Sequence, residues 1–393
     1  MTFFASRAGW EIEQGFMAAA SLIGGLLVLI PLTWFLQAWN VGCVLYIFWT
    51  SLVCILQFVN NMIWRDNARN VSPIFCDICE FLITCRIPTV PYWDHYAGVR
   101  VQWAAGMGII SAGLVIARRV ALITAASNRF QHNTNGRRMM YIDLVIGLVP
   151  PLLQIALFFV QQGHRFDVYE GIGCYPAIPP SIISICLTSV TCLIIGIVSA
   201  AYCFQTLRGL YRRHRMIDGV LSDVGVSTDR YYRLLIMAIL EPSCTIPISI
   251  YNLVLSVQYY YPWRGFADLH FGFDRVDQFP YELWTAQQSN APLREEWYQT
   301  GCALVFFLIF GTTREAFKRY RAAFRWVAER LGVKFKQEVE EEGSTFAAAP
   351  VSPRKHWWDT TGSSYTMNNL SFASASNVSS NTVTSKVNPD RPL

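Results

Sequence analysis

VGCVLYIFWTSLVCILQFVNNMI, Val41–Ile63, runs its whole length without a charged side chain. A bilayer core about 30 Å thick is crossed by about 20 apolar residues of helix. Backbone groups in lipid find no water to bond, so such a run has to satisfy them internally as a helix. Reading outward from this stretch, six further runs of the same kind occur: Gly15–Leu36, Val101–Thr124, Leu144–Gln161, Ser181–Phe204, Leu234–Val257 and Trp297–Thr312. The third opens on Gln102 and Trp103, and the seventh is short, starting after Arg294, Glu295 and Glu296. The composition agrees: 53% hydrophobic and 15% charged residues, with mean hydropathy +0.28, against roughly 25% charged in a soluble domain. The expected fold class is an all-α membrane protein, a seven-transmembrane helix bundle.

Basic residues fix the expected orientation, because loops rich in Lys and Arg stay on the cytoplasmic side. Arg118, Arg119, Arg129, Arg137 and Arg138 follow the third run; Arg208, Arg212, Arg213, Arg215, Arg230 and Arg233 follow the fifth; Arg314, Lys318, Arg319, Arg321 and Arg325 follow the seventh. Asp268, Asp274, Asp277 and Glu282 lie between the sixth and seventh. The amino terminus is therefore expected outside. Glu11 and Glu13 stand where a cleavable signal peptide would be basic, so the first helix is expected to act as an uncleaved anchor in a multi-pass plasma-membrane protein. The domain reading is an outer terminus at 1–14, a membrane domain at 15–312, a juxtamembrane segment at 313–342 and a cytoplasmic tail at 343–393. Phe317, Tyr320, Phe324, Val327 and Leu331 fall near one face of the juxtamembrane segment, with basic residues opposite. That pattern suits an amphipathic helix on anionic membrane lipid or a continuation of the seventh helix. The Ser-, Asn- and Pro-rich tail from Gly343 is expected to be disordered.

Function classes narrow by what the helices carry. Transporters and channels place charges or broken helices at the midplane, and here the clear intramembrane acid is Glu241, followed by Pro242 and Pro247. It is expected to face the bundle interior, either as a functional group or as a protonated packing residue at a kink. The first lysine is Lys318, which leaves no Schiff-base lysine in the bundle. The six histidines are scattered through loops and tail and form no HExxH spacing, so a membrane enzyme is disfavoured. No cofactor, metal or nucleic-acid partner is expected. Cys76, Cys79, Cys85 and Cys174 fall in outer loops, where disulfides persist. The pattern Cys76-Asp77-Ile78-Cys79 is a weak metal signal without a second pair.

Several stretches, in order, resemble the fungal receptors for lipidated, a-factor-type mating pheromones, a class of G-protein-coupled receptor. They are WNVGCVLYIFW (Trp39–Trp49), FVNNMIW (Phe58–Trp64), CDI (Cys76–Ile78), ARR (Ala117–Arg119), VQQGHRFDVYEGIGCYP (Val160–Pro176), YYRLL (Tyr231–Leu235) with Glu241, and FFLIFGTTREAFKRYR (Phe306–Arg321). The resemblance covers nearly the whole membrane domain. It implies a receptor without enzymatic activity, whose partners are a prenylated peptide pheromone and a heterotrimeric G protein. By position it implies a Cys76–Cys174 disulfide. It also implies that Asn60, Trp64, His164, Arg165, Asp167 and Glu241 line or flank the outer half of the bundle where the peptide enters. Arg118, Arg119, Arg208, Arg212, Arg213, Arg215, Tyr231, Tyr232 and Arg233 would face the G protein, although inside-positive topology alone also explains arginines there. The chain departs from the family at Cys79–Val99, an insertion between the CDI motif and the third helix. It is either an outer-loop extension or a retained intron, the latter favoured. The rival to the receptor reading is a transporter or channel.

Overall fold

Pro31 decides how the first span is built. A proline offers no amide hydrogen to the preceding turn, so the computed structural model shows α1 (Arg7–Leu29) stopping ahead of it and α2 (Leu32–Gln37) starting after it. Trp39 then takes a left-handed backbone, φ 50°, and the Asn40 side chain accepts a hydrogen bond from the Cys43 amide to cap α3 (Val41–Ile63). The described residues are 7–72, 75–76, 97–125, 136–213, 228–286, 291–313, 316–317, 320–321 and 330. Cys79, Cys85, most of the insertion, Arg215, most of the juxtamembrane segment and the tail lie outside them.

The chain continues through α4 (Ala97–Ala125), α5 (Gly136–Ala156) and a short α6 (Phe158–Gln161) offset at Leu157. Then come β1 (Phe166–Tyr169) and β2 (Gly173–Tyr175). A turn of helix α7 (Ile182–Ser184) widens into a π-helical stretch, Ile185–Val190, and leads into α8 (Thr191–Arg213). The long α9 (Thr228–Gln258) keeps its helix through Pro242 and Pro247. After α10 (Phe266–Leu269), β3 (Val276–Phe279) and α11 (Tyr281–Ala286), α12 (Ala291–Gly311) packs on α1 and α3.

Among the described residues, six helices are long and apolar enough to cross a membrane: 7–37, 41–63, 100–125, 137–156, 182–212 and 229–258. Each contains or overlaps one of the first six expected spans, but most run further. The fourth begins eight residues before Leu144, and the sixth begins at Thr228 rather than Leu234. Hydropathy marks the part of a helix that lipid can cover, whereas caps and turns set where the helix ends. α12 falls outside the six because Arg294, Glu295 and Glu296 lie within it, not before it as the expected Trp297 start required.

The expectation of an all-α fold needs one correction. Among the described residues a three-stranded sheet, ordered β2-β1-β3, sits at one end of the bundle. β1 pairs antiparallel with β2 and parallel with β3, with Asp167 opposite both Tyr175 and Asp277. Gly171 (φ 85°) and Gly173 (φ 97°) make the β1–β2 turn, a backbone region that side chains resist. Both also lie too close to neighbours for a Cβ: one would stand 2.6 Å from Gln14 Nε2 and Trp10 at Gly171, and 2.8 Å from Asn60 at Gly173. The hairpin tip thus presses on α1 and α3.

The core divides along the bundle. A large apolar cluster including Phe35, Tyr46, Trp49, Ile116, Tyr231, Leu235, Phe306 and Phe310 fills the body and the end away from the sheet. Two smaller clusters sit under the strands. One holds Trp64, Cys76, Phe158, Phe166, Val168 and Cys174, and the other holds Trp10, Met17, Tyr169, Ile172, Trp284 and Leu293.

Candidate functional site

The strand end is assembled from residues far apart in sequence. Cys76 and Cys174 are joined in a disulfide, Cα–Cα 5.9 Å, fixing β2 to the segment after α3. Trp64, 0% exposed, packs in the same cluster. Its indole Nε1 donates to the Arg69 carbonyl at 2.9 Å, and its own carbonyl accepts from the Gly171 amide at 2.8 Å. Arg165 lays its guanidinium over the Phe166 ring, 5.4 Å to the centroid, while its amide donates to the Phe273 carbonyl. Glu170 accepts from Arg7 Nη2 (3.2 Å) and the Tyr281 amide (2.9 Å), tying the start of α1 to the sheet.

His164 and Asp167 meet beside β3. His164 Nε2 lies 2.7 Å from Asp167 Oδ1 and 3.5 Å from Asp277 Oδ2, and Arg275 Nε holds Asp277 Oδ1 at 3.0 Å. Burial pushes the Asp167 carboxyl above its ordinary range, and the hydrogen bond with His164 pulls it back.

Just inside the bundle from the hairpin lies a buried polar chain that the sequence reading did not assemble. Asn60 Nδ2 donates to Gln102 Oε1 at 3.1 Å. Gln57 donates to Gln299 through a short hydrogen bond and accepts from Thr300 Oγ1 at 3.3 Å. Gln299 Nε2 in turn donates to Glu295 Oε1 (3.3 Å), and the Tyr175 hydroxyl donates to Glu295 Oε2 (2.9 Å). α3, α12 and β2 therefore share one set of polar contacts, with α4 joined through Asn60. Next to it Glu296 is 2% exposed, and neither of its carboxylate oxygens is hydrogen-bonded among the described residues. Buried polar groups without partners are costly, so this is a place where an incoming polar or cationic group gains most. Of this set only Asn60 is among the expected ligand residues; Gln102, Glu295 and Glu296 are named only as helix boundaries. The usable signal was the recurrence of Gln57, Gln102 and Gln299 within otherwise apolar runs.

Glu241 stands apart from the other five expected ligand residues. It is 6% exposed and accepts from Ser199 Oγ (2.9 Å) and Thr245 Oγ1 (2.8 Å). It packs so closely on Gly113 that a Cβ there would lie 2.3 Å from Glu241 Cγ. Gly113 is five residues from Arg118 on α4, about 7.5 Å of helix rise. Glu241 therefore bridges α8, α9 and α4 near the middle of the bundle, with Gly113 about midway along the 100–125 span.

At that far end the expected partner-facing residues split. Arg118 is ion-paired with the buried Asp143, and Arg119 Nη1 donates to the Trp39 carbonyl at 2.7 Å. Tyr231, buried, shares a 2.6 Å hydrogen bond with Thr124 Oγ1. Arg233 donates to the Ile309 carbonyl of α12 and pairs with Asp229. Arg208, Arg212 and Tyr232 are exposed. The side chain of Arg213 lies outside the described residues.

The family model described as "STE3: Pheromone A receptor" matches residues 16–332. The chain is similar to "Pheromone B alpha 1 receptor" of Schizophyllum commune, 32% identical over 79% of this chain and 46% of the relative. It is also similar to "Pheromone receptor 1" of Mycosarcoma maydis, 25% identical over 77% of this chain and 82% of that one. A third relative is "Pheromone a factor receptor" of Saccharomyces cerevisiae, 22% identical over 77% of this chain and 60% of that one. The chain spans about half the length of the Schizophyllum relatives it matches.

Proposed function

This chain belongs to the pheromone A receptor family, whose members are membrane proteins, and we propose that it is a G-protein-coupled receptor for a prenylated peptide mating pheromone, with no enzymatic chemistry of its own. In this reading α12 is the seventh span, the amino terminus and the strands face outward, and the arginine-bearing end faces the cytoplasm. The observation that carries it is the buried polar chain Asn60–Gln102 and Gln57–Gln299–Glu295–Tyr175 beneath the strands. Buried amides join membrane helices, but ionisable groups among them are costly and mark a site by default. A peptide entering between the strands and the helices supplies partners for Glu296 and for Asn60 Oδ1, which have none among the described residues. The peptide's prenyl chain gains about 0.8 kcal/mol per buried CH₂ from the surrounding apolar helices and lipid.

Binding shifts the bundle only through contacts that differ between two states. The contacts placed to differ are those between helices at the arginine end: Arg118–Asp143, Thr124–Tyr231 and Arg233–Ile309. Their rearrangement exposes a basic surface to a heterotrimeric G protein. The test is a pheromone-response reporter in yeast cells lacking their own receptor, challenged with synthetic farnesylated peptides and their unfarnesylated counterparts. A farnesyl-dependent response to at least one peptide is expected. Surface-expressed receptor silent to the whole panel would overturn the reading.

A further inference from the structure

Strand register brings two carboxylates together with a histidine. In the parallel β1–β3 pair Asp167 lies opposite Asp277, and like charges directly opposite one another destabilise a sheet. His164, three residues before Asp167, reaches back so that its Nε2 stands 2.7 Å from Asp167 Oδ1 and 3.5 Å from Asp277 Oδ2. The three donor atoms all lie within 4.8 Å of one another. We propose that His164, Asp167 and Asp277 form a binding site for a divalent transition-metal ion of the zinc type, joining β1 to β3.

The donor set and its spacing are the argument. Zinc bonds of about 2.0–2.2 Å to one imidazole nitrogen and two carboxylate oxygens put those ligands roughly 3.3–3.6 Å apart in a tetrahedron; the 3.5 Å His164–Asp277 separation falls in that range, and the 2.7 Å His164–Asp167 hydrogen bond has to lengthen to reach it. One imidazole with two carboxylates suits zinc better than calcium or magnesium, which prefer oxygen alone. The surroundings hold the ligands in place. Arg275 Nε fixes the other oxygen of Asp277 at 3.0 Å, leaving Oδ2 turned to the site. This is the outer-layer support that metal carboxylates usually have. Without metal, Arg275 Nη2 lies 3.3 Å from His164 Nδ1, which makes Nδ1 the acceptor and leaves the imidazole hydrogen on Nε2. Metal takes Nε2, the hydrogen moves to Nδ1, and the half-exposed Arg275 side chain releases that nitrogen while keeping Asp277. The fourth position is open to water. No sequence motif announces the site, because Asp277 is over a hundred residues beyond His164. The expectation of no metal rests on cysteine spacing and on an outer compartment that favours disulfides.

The inference stands apart from the receptor reading and is tested by metal binding itself. The full chain in lipid nanodiscs is stripped with chelator, titrated with zinc chloride, and its bound zinc counted after gel filtration. The wild-type protein is expected to bind one zinc that H164Q and D277N lose, with affinity weakened at least 30-fold, and zinc is expected to raise the melting midpoint of the wild type only. H164Q keeps an amide donor for both carboxylates but no coordinating nitrogen, so its midpoint without metal reports folding separately. Zinc counts equal in wild type, H164Q and D277N would overturn the proposal. So would magnesium matching zinc in the same titration.

Discussion

The two ends of this bundle are held by different physics. At the strand end the helices are joined by a disulfide, a sheet, the Arg7–Glu170 bridge and a chain of buried amides. At the arginine end a large aromatic and aliphatic cluster is crossed, among the described residues, by separate contacts such as Arg118–Asp143, Arg119–Trp39, Thr124–Tyr231 and Arg233–Ile309. Polar contacts in a low dielectric are directional and costly to leave unmade, so the strand end has one good arrangement. Apolar packing is less particular about register, and helices over it can settle in alternative packings. In the proposed reading, recognition falls to the first end and movement to the second.

The strand end depends most on its disulfide. It closes a loop across 98 residues, for which chain entropy gives about 4–5 kcal/mol. Cys76→Ser and Cys174→Ser are each expected to remove most surface expression, and the double substitution to be no worse than either. Additive losses measured by surface labelling would mean the thiols act separately. Gly173→Ala comes next. Its φ of 97° and the nearby Asn60 leave no room for a methyl, at a cost of about 1–3 kcal/mol. A melting midpoint several degrees lower is expected, and an unchanged one would show that the hairpin does not press on α3. Glu295→Gln is smaller in stability and larger in function. It replaces a carboxylate that accepts from Tyr175 and Gln299 with an amide that keeps one acceptor oxygen. Peptide affinity is expected to fall about tenfold with expression retained, as read by saturation binding; unchanged affinity would remove Glu295 from recognition. The smallest effect is at the other end. Arg118→Lys with Arg119→Lys preserves the charge beside Asp143 but not the planar fork, and is expected to lower ligand-stimulated nucleotide exchange several-fold while expression and peptide binding stay near normal.

The same division explains what could be read in the sequence. Runs such as Val41–Ile63 announce helices because lipid imposes one structural solution on any long apolar stretch. The strands were not legible: β1 and β3 are four residues each and meet across more than a hundred residues, and nothing local in Phe166–Tyr169 names its partner. Glu295 and Glu296 read as a boundary before the seventh helix, yet they lie within α12 and beside the polar chain. Charge suggests an end where burial is possible only because Tyr175 and Gln299 wait for Glu295. Glu241 was read correctly as facing inward, but its depth depends on Ser199 and Gly113, which come from other helices. The Arg118–Asp143 pair was likewise invisible, since both residues could have been simple topology signals.

In the proposed reading the strand end recognises and the arginine end transmits. Nucleotide exchange per occupied receptor, measured in membranes with a farnesylated agonist peptide, tests it most directly. Glu295→Gln is expected to lower occupancy while leaving exchange per occupied receptor at the wild-type value. The Arg118→Lys, Arg119→Lys pair is expected to keep occupancy and lower exchange per occupied receptor. If both variants lower the same quantity, the two ends are not divided in this way and the account fails.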